Sequence, residues 1–288
     1  MPNVTVNDVD FSYLEWGDAA APLAVCLHGF PDSAHTWRLL GPALADAGYH
    51  AVAPFMRGYA PTAVPADGRY QTAMLALDAI GLRDALGGDE RSVLIGHDWG
   101  ASATWIAAAH GGEKWARVVA GAVPPGGAVA AAFLRYEQLQ KSWYMFFFQH
   151  PLSDVVVGMN DLAFIDGLWA DWSPGYDATE DLRLLKQSLR DPANLAAAIG
   201  YYRATLGGVG TDPALADVQA SAATAPPQPT LYLHGRDDGC IGVEVADGAG
   251  AYLTAPGSRV EIVDGAGHFL HLEQPEVVNR LIVDFLSA

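Results

Sequence analysis

Short runs of apolar residues alternate with longer segments of helical period along most of this chain. An uninterrupted apolar run suits a strand buried on both faces of a parallel sheet, and parallel neighbours need a crossover between them. Such runs lie at residues 23–28, 51–55, 92–96, 118–123, 229–234 and 259–263, with helical segments at about 35–47, 71–86, 99–110 and 275–287. Residues 3–17 predict a β-hairpin that turns at Asn7 and Asp8. The pattern predicts an α/β fold with a mostly parallel sheet and flanking helices.

The alternation stops in the middle of the chain. Residues 128–220 contain no strand-like run and are rich in alanine, leucine and aromatic residues at helical spacing. We expect a helical cap inserted between the sixth and seventh strands. The predicted division is an α/β core at residues 1–125 and 224–288 and a cap at residues 126–223.

The charge balance excludes several classes of partner. The chain has 33 acidic and 16 basic residues and a formal net charge of −17, which repels nucleic acid and anionic lipid. No apolar run approaches the roughly 20 residues that span a bilayer, and residues 1–10 lack the features of a secretory signal. We therefore expect a cytoplasmic protein, monomer or homodimer, with no nucleic-acid or membrane partner. The two cysteines, Cys26 and Cys240, do not require a disulfide.

The most specific motif is GHDWG at residues 96–100, between a predicted strand and a predicted helix. A strand that turns abruptly into a helix needs a strained backbone at the turn and small residues beside it, as in a nucleophile elbow. Asp98 takes the position at which serine is usual. The alternative is that Asp98 only caps the helix, and the other motifs favour the nucleophile.

A carboxylate nucleophile selects the reaction. It displaces a leaving group from saturated carbon and forms an alkyl ester. Its attack on an ester or amide would give an anhydride, which makes it a poor catalyst of acyl transfer. Asp98 therefore indicates an epoxide or an alkyl halide as the substrate, not an ester or amide.

Two backbone N–H groups are candidates for an oxyanion hole beside Asp98. The motif HGFP at residues 28–31 follows a predicted strand, and a glycine turn there can aim the Phe30 N–H toward the elbow. The Trp99 N–H is the second candidate donor. Since HGFP can also be an ordinary turn, the prediction depends on where the motif falls in the chain.

Candidates for the acid follow the predicted strand at 229–234. A carboxylate at the C-terminal end of a parallel strand points into the crevice where active sites form. Asp237 and Asp238 compete for this role, and the spacing from Gly235 favours Asp238. A solvated acidic turn is the alternative.

Candidates for the base come last in the chain. His268 lies in a glycine-flanked loop after the predicted strand at 259–263, whereas the competing His271 has no flanking glycines. The order of nucleophile, acid and histidine then predicts a catalytic triad of Asp98, Asp238 and His268.

Together these motifs resemble the soluble epoxide hydrolases of the α/β-hydrolase superfamily over nearly the whole chain. The resemblance is carried by HGFPDS at 28–33, ALADAGYHAVAPFMRGY at 43–59, GHDWG at 96–100 and GHFLHLEQPE at 267–276. It implies the α/β-hydrolase fold, with Asp98 as nucleophile, Asp238 as acid and His268 as base. The implied reaction opens an epoxide to a vicinal diol.

The resemblance also implies two cap tyrosines that donate hydrogen bonds to the epoxide oxygen. Residues 143–149 are similar to the first tyrosine segment of the family and residues 201–203 to the second, which assigns the donors to Tyr144 and Tyr202. Chemistry supports the need, because ring opening leaves an alkoxide that an acid must stabilise. Aromatic packing is the alternative role. With Phe30 and Trp99, these tyrosines are expected to line a hydrophobic substrate site.

Two other functions stay open. A haloalkane or haloacid dehalogenase would share the aspartate nucleophile, and the Trp99 indole could bind halide. However, Phe30 stands where haloalkane dehalogenases usually have asparagine, and no arginine follows Asp98 to hold a substrate carboxylate. A non-catalytic fold that only binds a small molecule is disfavoured by the complete triad. No histidine set has metal-ligand spacing, and the expected reaction needs water but no cofactor.

Overall fold

An eight-stranded sheet forms the centre of the computed structural model, which describes residues 1–288. The strands are β1 (Asn3–Val6), β2 (Val9–Trp16), β3 (Leu23–Leu27), β4 (His50–Pro54), β5 (Val93–His97), β6 (Arg117–Gly121), β7 (Thr230–Gly235) and β8 (Arg259–Val263). They lie in the order β1-β2-β4-β3-β5-β6-β7-β8. Strands β3 to β8 are parallel, and β1 and β2 form an antiparallel hairpin whose second strand pairs antiparallel with β4. The predicted mostly parallel sheet and N-terminal hairpin are confirmed.

Thirteen α-helices accompany the sheet. They are α1 (Leu40–Asp46), α2 (Thr72–Ala85), α3 (Trp99–Gly111), α4 (Gly126–Ala132), α5 (Tyr136–Lys141), α6 (Trp143–Phe147), α7 (Leu152–Val156), α8 (Ala163–Trp172), α9 (Thr179–Leu189), α10 (Pro192–Leu206), α11 (Ala216–Ala220), α12 (Leu270–Glu273) and α13 (Pro275–Ser287). Short 3₁₀ segments lie at Ala34–Arg38, Gly112–Lys114, Pro213–Leu215, Ser221–Ala223 and Val243–Tyr252. No helix combines the length and the apolar character that crossing a membrane requires.

One predicted helix is divided in the structure. The helix expected at about 35–47 is a 3₁₀ segment at Ala34–Arg38 followed by α1. The physical reason is Pro42, whose nitrogen carries no hydrogen to donate to the Arg38 carbonyl, so an α-helix cannot continue through this turn.

The chain between β6 and β7 forms helices α4 to α11 and no strand. We call residues 126–223 the helical insertion. Its side chains Phe148, Trp169 and Tyr202 belong to the same buried cluster as Leu27 of β3 and Phe269 after β8. The insertion therefore shares an apolar core with the end of the sheet where the parallel strands finish.

A buried ion pair joins three parts of the molecule. Arg57 is fully buried, and its Nε and Nη2 atoms donate to the two carboxylate oxygens of Asp78 on α2 at 2.7 and 2.8 Å. Asn7 of the hairpin donates to Asp78 at 2.9 Å, and Tyr201 of α10 donates to the Arg57 carbonyl at 2.7 Å. Burial raises the pKa of Asp78, and the hydrogen bonds from Arg57 oppose that rise. The pair thus ties the hairpin, α2 and the helical insertion together.

We expect Asp78→Asn to lower the free energy of unfolding by about 3–5 kcal/mol, because it leaves the buried charge of Arg57 without its main partner. Asp84→Asn on the same helix is the matched control. Asp84 pairs with Lys114 where both side chains are 40% exposed or more, and its loss should cost at most about 1 kcal/mol. Urea unfolding measures both values, and equal losses would contradict a structural role for the buried pair.

Candidate active site

The backbone turns sharply at Asp98, between the last residue of β5 and the first of α3. Asp98 has a φ of 54° and a ψ of −116°, a backbone conformation that residues other than glycine rarely adopt. A Cβ at Gly96 would collide with the Gly100 carbonyl and the Thr104 hydroxyl, and one at Gly100 would collide with the Leu27 carbonyl. The elbow pattern in the sequence therefore reflects the space available. The Asp98 side chain makes no capping hydrogen bond, so the alternative role as a helix cap is wrong.

The Asp98 carboxylate is 6% exposed and lies between a backbone donor and an imidazole. Its Oδ1 atom accepts a hydrogen bond from the Phe30 N–H at 2.7 Å. Its Oδ2 atom lies 3.6 Å from Nε2 of His268. A Cβ at Gly29 would collide with the Asp98 side chain, so only glycine lets the HGFP turn approach this closely.

His268 and Asp238 meet at the ends of β8 and β7. Nδ1 of His268 lies 3.0 Å from Oδ2 of Asp238, and both residues are buried. The other carboxylate oxygen of Asp238 accepts from the N–H groups of Cys240 and Ile241 at 2.7 and 2.9 Å. The His268 N–H donates to the Trp172 carbonyl of the insertion at 3.0 Å. Asp238 is thus fixed by its own loop, and it orients the imidazole toward Asp98.

The structure separates the competing candidates. Asp237 is exposed, whereas Asp238 is buried against His268. Nε2 of His271 lies 2.5 Å from the Thr36 hydroxyl, and its ring stacks on Trp37 away from Asp98. The three residues that the sequence favours are therefore the three that the fold brings together.

The two carboxylates control the charge on His268. Burial alone would lower the pKa of His268, but the facing Asp238 and Asp98 outweigh it and raise that pKa to about 10. Burial would likewise raise the pKa of Asp238, and the charge and hydrogen bond of His268 lower it instead. The geometry favours an imidazolium between two carboxylates at neutral pH.

Tyr144 and Tyr202 face Asp98 from the helical insertion. Both are buried, on α6 and α10, with ring centroids 5.6 Å apart. The hydroxyl of Tyr202 has no hydrogen-bond partner in the protein, and that of Tyr144 lies 3.3 Å from the Cys240 thiol. Burial raises the pKa of each hydroxyl well above its usual value, and the negative charge of Asp98 adds to the effect. Both hydroxyls are therefore protonated and able to donate.

A cavity of about 380 Å³ opens onto this group. Asp98, Trp99, Tyr144 and Tyr202 are among its lining residues, and most of the remaining lining is apolar. Phe30 does not line the cavity, because its ring packs against Phe148 and Tyr202 at centroid distances of 5.5 and 5.3 Å. Of the four residues expected to contact substrate, Trp99, Tyr144 and Tyr202 line the cavity.

Sequence reasoning missed two supporting groups. Cys240 contributes its N–H to Asp238 and its thiol to Tyr144, and its position two residues after Asp238 was a signal that could have been used. The Trp172 carbonyl that holds the backbone of His268 had no sequence signal, because the contact joins two distant segments. Both cysteines are free thiols.

In two groups of three buried residues, the potential ligand atoms lie close enough together to bind a metal ion. The groups are Asp32, His97 and His271, and Asp238, Cys240 and His268, with the ligand atoms of each group within 4.8 Å of one another. In each group part of the donor set already forms hydrogen bonds: His271 to Thr36, and His268 to Asp238. The second group contains the predicted acid and base, so a metal there would displace the contact between Asp238 and His268.

The raised pKa of His268 predicts a stability that depends on pH. The folded protein binds this proton more tightly than the unfolded chain, so the contribution is complete below pH 6.5 and is lost as the pH rises through about 10. We expect the free energy of unfolding of the wild type to fall over this range relative to His268→Gln. Urea unfolding at several pH values measures the difference, with the exposed His110→Gln as control. A constant difference between wild type and His268→Gln would contradict the raised pKa.

The chain matches known proteins over nearly its whole length. Residues 22–275 match the family described as alpha/beta hydrolase fold. The chain is 31% identical to epoxide hydrolase A of Mycobacterium tuberculosis, over 99% of this chain and 96% of that protein. It is 30% identical to epoxide hydrolase 4 of Homo sapiens, over 96% of this chain and 75% of that protein.

A solved structure shows the same fold. The crystal structure of epoxide hydrolase A from Mycobacterium thermoresistibile superposes with a TM-score of 0.81 at 26% identity, and the match covers 100% of this chain and 98% of that one. The strand order, the position of the elbow and these matches agree, and the chain belongs to the epoxide hydrolase family of the α/β-hydrolase superfamily.

Proposed function

We propose that the protein hydrolyses epoxides to vicinal diols through a covalent ester on Asp98. The observation that carries the proposal is that Asp98 lines a mostly apolar cavity together with Tyr144 and Tyr202. Nε2 of His268 lies 3.6 Å from the Asp98 carboxylate. A nucleophile, a base and two hydroxyl donors are the groups that this reaction requires.

Ring opening is the first step. A carboxylate oxygen of Asp98 attacks one ring carbon, the bond from that carbon to the ring oxygen breaks, and its electron pair stays on the oxygen. The hydroxyls of Tyr144 and Tyr202 donate hydrogen bonds to this oxygen. Neither hydroxyl is held by a strong acceptor in the protein: that of Tyr202 makes no hydrogen bond of normal geometry, and that of Tyr144 lies 3.3 Å from the Cys240 thiol, which is a weak hydrogen-bonding group.

His268 balances the proton of the first step. The free enzyme holds His268 as an imidazolium, since Asp98 and Asp238 raise its pKa to about 10. Ester formation removes the negative charge of Asp98 and with it one cause of the raised pKa. His268 then releases its proton, and the ring oxygen gains one by way of the tyrosine hydroxyls. The imidazole is neutral when a base is needed.

Hydrolysis of the ester is the second step. His268 removes a proton from water, and the water oxygen attacks the carbonyl carbon of the Asp98 ester. The N–H groups of Phe30 and Trp99 stabilise the oxyanion, and the Phe30 N–H already contacts Oδ1 of Asp98 at 2.7 Å. Collapse expels the diol oxygen, which takes the remaining proton from the carboxyl group. This restores the Asp98 carboxylate and the His268 imidazolium.

The helical insertion has the role of a cap in this proposal. It supplies both tyrosines, and the α/β core supplies the triad, so substrate binds where the two parts meet. The proposed division is residues 126–223 for the cap and residues 1–125 and 224–288 for the core.

One observation favours a second candidate, haloalkane dehalogenation. The indole Nε1 of Trp99 is buried without a hydrogen-bond partner, and Trp99 lines the cavity. An indole N–H can bind a departing halide. This candidate leaves the two tyrosine hydroxyls without a use, because a halide needs no acid to depart.

The His268→Gln variant should accumulate the ester, because it retains the nucleophile but lacks the base. After mixing with an epoxide, we expect a mass gain equal to the whole epoxide, mapped to Asp98 by peptide mass spectrometry. A gain equal to an alkyl group from an alkyl halide, with none from epoxides, would assign the dehalogenase. The double variant Asp98→Asn with His268→Gln is the control and should gain no mass. An adduct on it would overturn the nucleophile assignment.

Replacing Tyr144 and Tyr202 together by phenylalanine should lower kcat for epoxides by roughly 10²–10⁴-fold, the usual contribution of an acid in this role. Any displacement of halide should survive. Tyr201→Phe is the matched control, since its hydroxyl is buried on the same helix but donates to the Arg57 carbonyl outside the cavity. Steady-state kinetics decide the point, and unchanged epoxide turnover in the double variant would remove the donor role.

A further inference from the structure

Two helices that begin or pass beside Asp98 contribute part of the cavity lining. From the elbow the cavity follows α3, where Ser102 and Ile106 line it, and from Tyr202 it follows α10, where Thr205 and Leu206 line it. Residues three and four apart lie on one face of a helix, so each helix presents a continuous strip to the same space. We call the space bordered by Ser102, Ile106, Thr205 and Leu206 the open arm.

Three aromatic rings that pack against candidate catalytic residues lie outside the cavity. Phe30, Phe148 and Trp172, which we call the aromatic wall, are each 2% exposed or less, and none of them lines the cavity. Phe148 packs 5.5 Å from Phe30 and 5.0 Å from Tyr202, measured between ring centroids. Trp172 packs 5.1 Å from His268. Close-packed rings of this kind leave no room for a further substituent.

The open arm carries no cation. No lysine or arginine lines the cavity, and the only charged side chain there is Asp98. An epoxide that bears a carboxylate or a phosphate would find no partner and would be repelled by the nucleophile. The lining suits an uncharged aliphatic or aryl group.

From these observations we propose that the preferred substrates are epoxides with a single uncharged apolar substituent, and that Phe148 excludes a second one. The inference rests on the proposed function. With the ring oxygen at the two tyrosines and one ring carbon at Asp98, a single substituent extends into the open arm. A trans-disubstituted epoxide projects its groups to opposite sides of the ring, so its second group meets the aromatic wall.

Two isomers of equal size test the proposal on the wild-type enzyme. We expect kcat/KM for 1,2-epoxyoctane to exceed that for trans-4,5-epoxyoctane by at least roughly tenfold, a ratio typical of steric discrimination in an apolar pocket. Equal values would overturn the proposal. Propylene oxide, which carries one methyl group, is the control for catalysis itself. If no epoxide of the three is converted and His268→Gln forms no adduct, the proposed function fails and this inference with it.

A substitution in the aromatic wall tests the role of Phe148. Phe148→Ala should reduce the ratio between the two isomers at least roughly tenfold, because it opens space beside Phe30 and Tyr202. The backbone at this residue remains held, since Arg203 donates to its carbonyl at 2.9 Å. Phe146→Ala is the matched control, in the same segment but 50% exposed, and should leave the ratio unchanged. Phe148→Leu repeats the test with a smaller cavity should the alanine variant unfold. An unchanged ratio in a folded Phe148 variant would overturn its role.

Discussion

A carboxylate removed from water, that of Asp98, is the group around which the end of the sheet is arranged. A buried negative charge is costly unless hydrogen bonds and an opposite charge compensate it. Here the Phe30 N–H supplies the first and His268 the second. The Phe30 N–H and His268 can approach Asp98 only because glycines leave space at the turns and because the parallel strands β3, β5 and β8 end on the same side of the sheet. The contacts that stabilise the negative charge of Asp98 before substrate binds are thus made by the same groups that the proposed reaction uses.

The parts of the fold that could be predicted from the sequence are those set by local sterics. Apolar runs give buried strands, and a glycine on each side of Asp98 gives the elbow, because no larger residue fits there. The order of strands then determines that loops after β7 and β8 meet beside it. Within this frame the choice of Asp238 over Asp237, made on spacing alone, agrees with the observed burial.

The parts that could not be predicted depend on packing between segments far apart in the chain. Nothing in the sequence near Arg57 shows that Asp78 and Tyr201 will surround it. The aromatic run at 143–149 gives no sign that Phe148 turns inward while Phe146 remains half exposed. The shape of the cavity beside Asp98 follows from such side-chain orientations. Chemistry is therefore easier to infer from this sequence than preference among substrates.

Cys240 contacts one residue that is used in each step of the proposed reaction. Its backbone N–H holds Asp238, which orients the base for the second step, and its thiol lies against the Tyr144 hydroxyl, which serves the first. A shift of the chain at this one residue would displace the acid of ring opening and the support of the base together. The two proposed steps, though separated by a covalent intermediate, therefore depend on the position of the same residue.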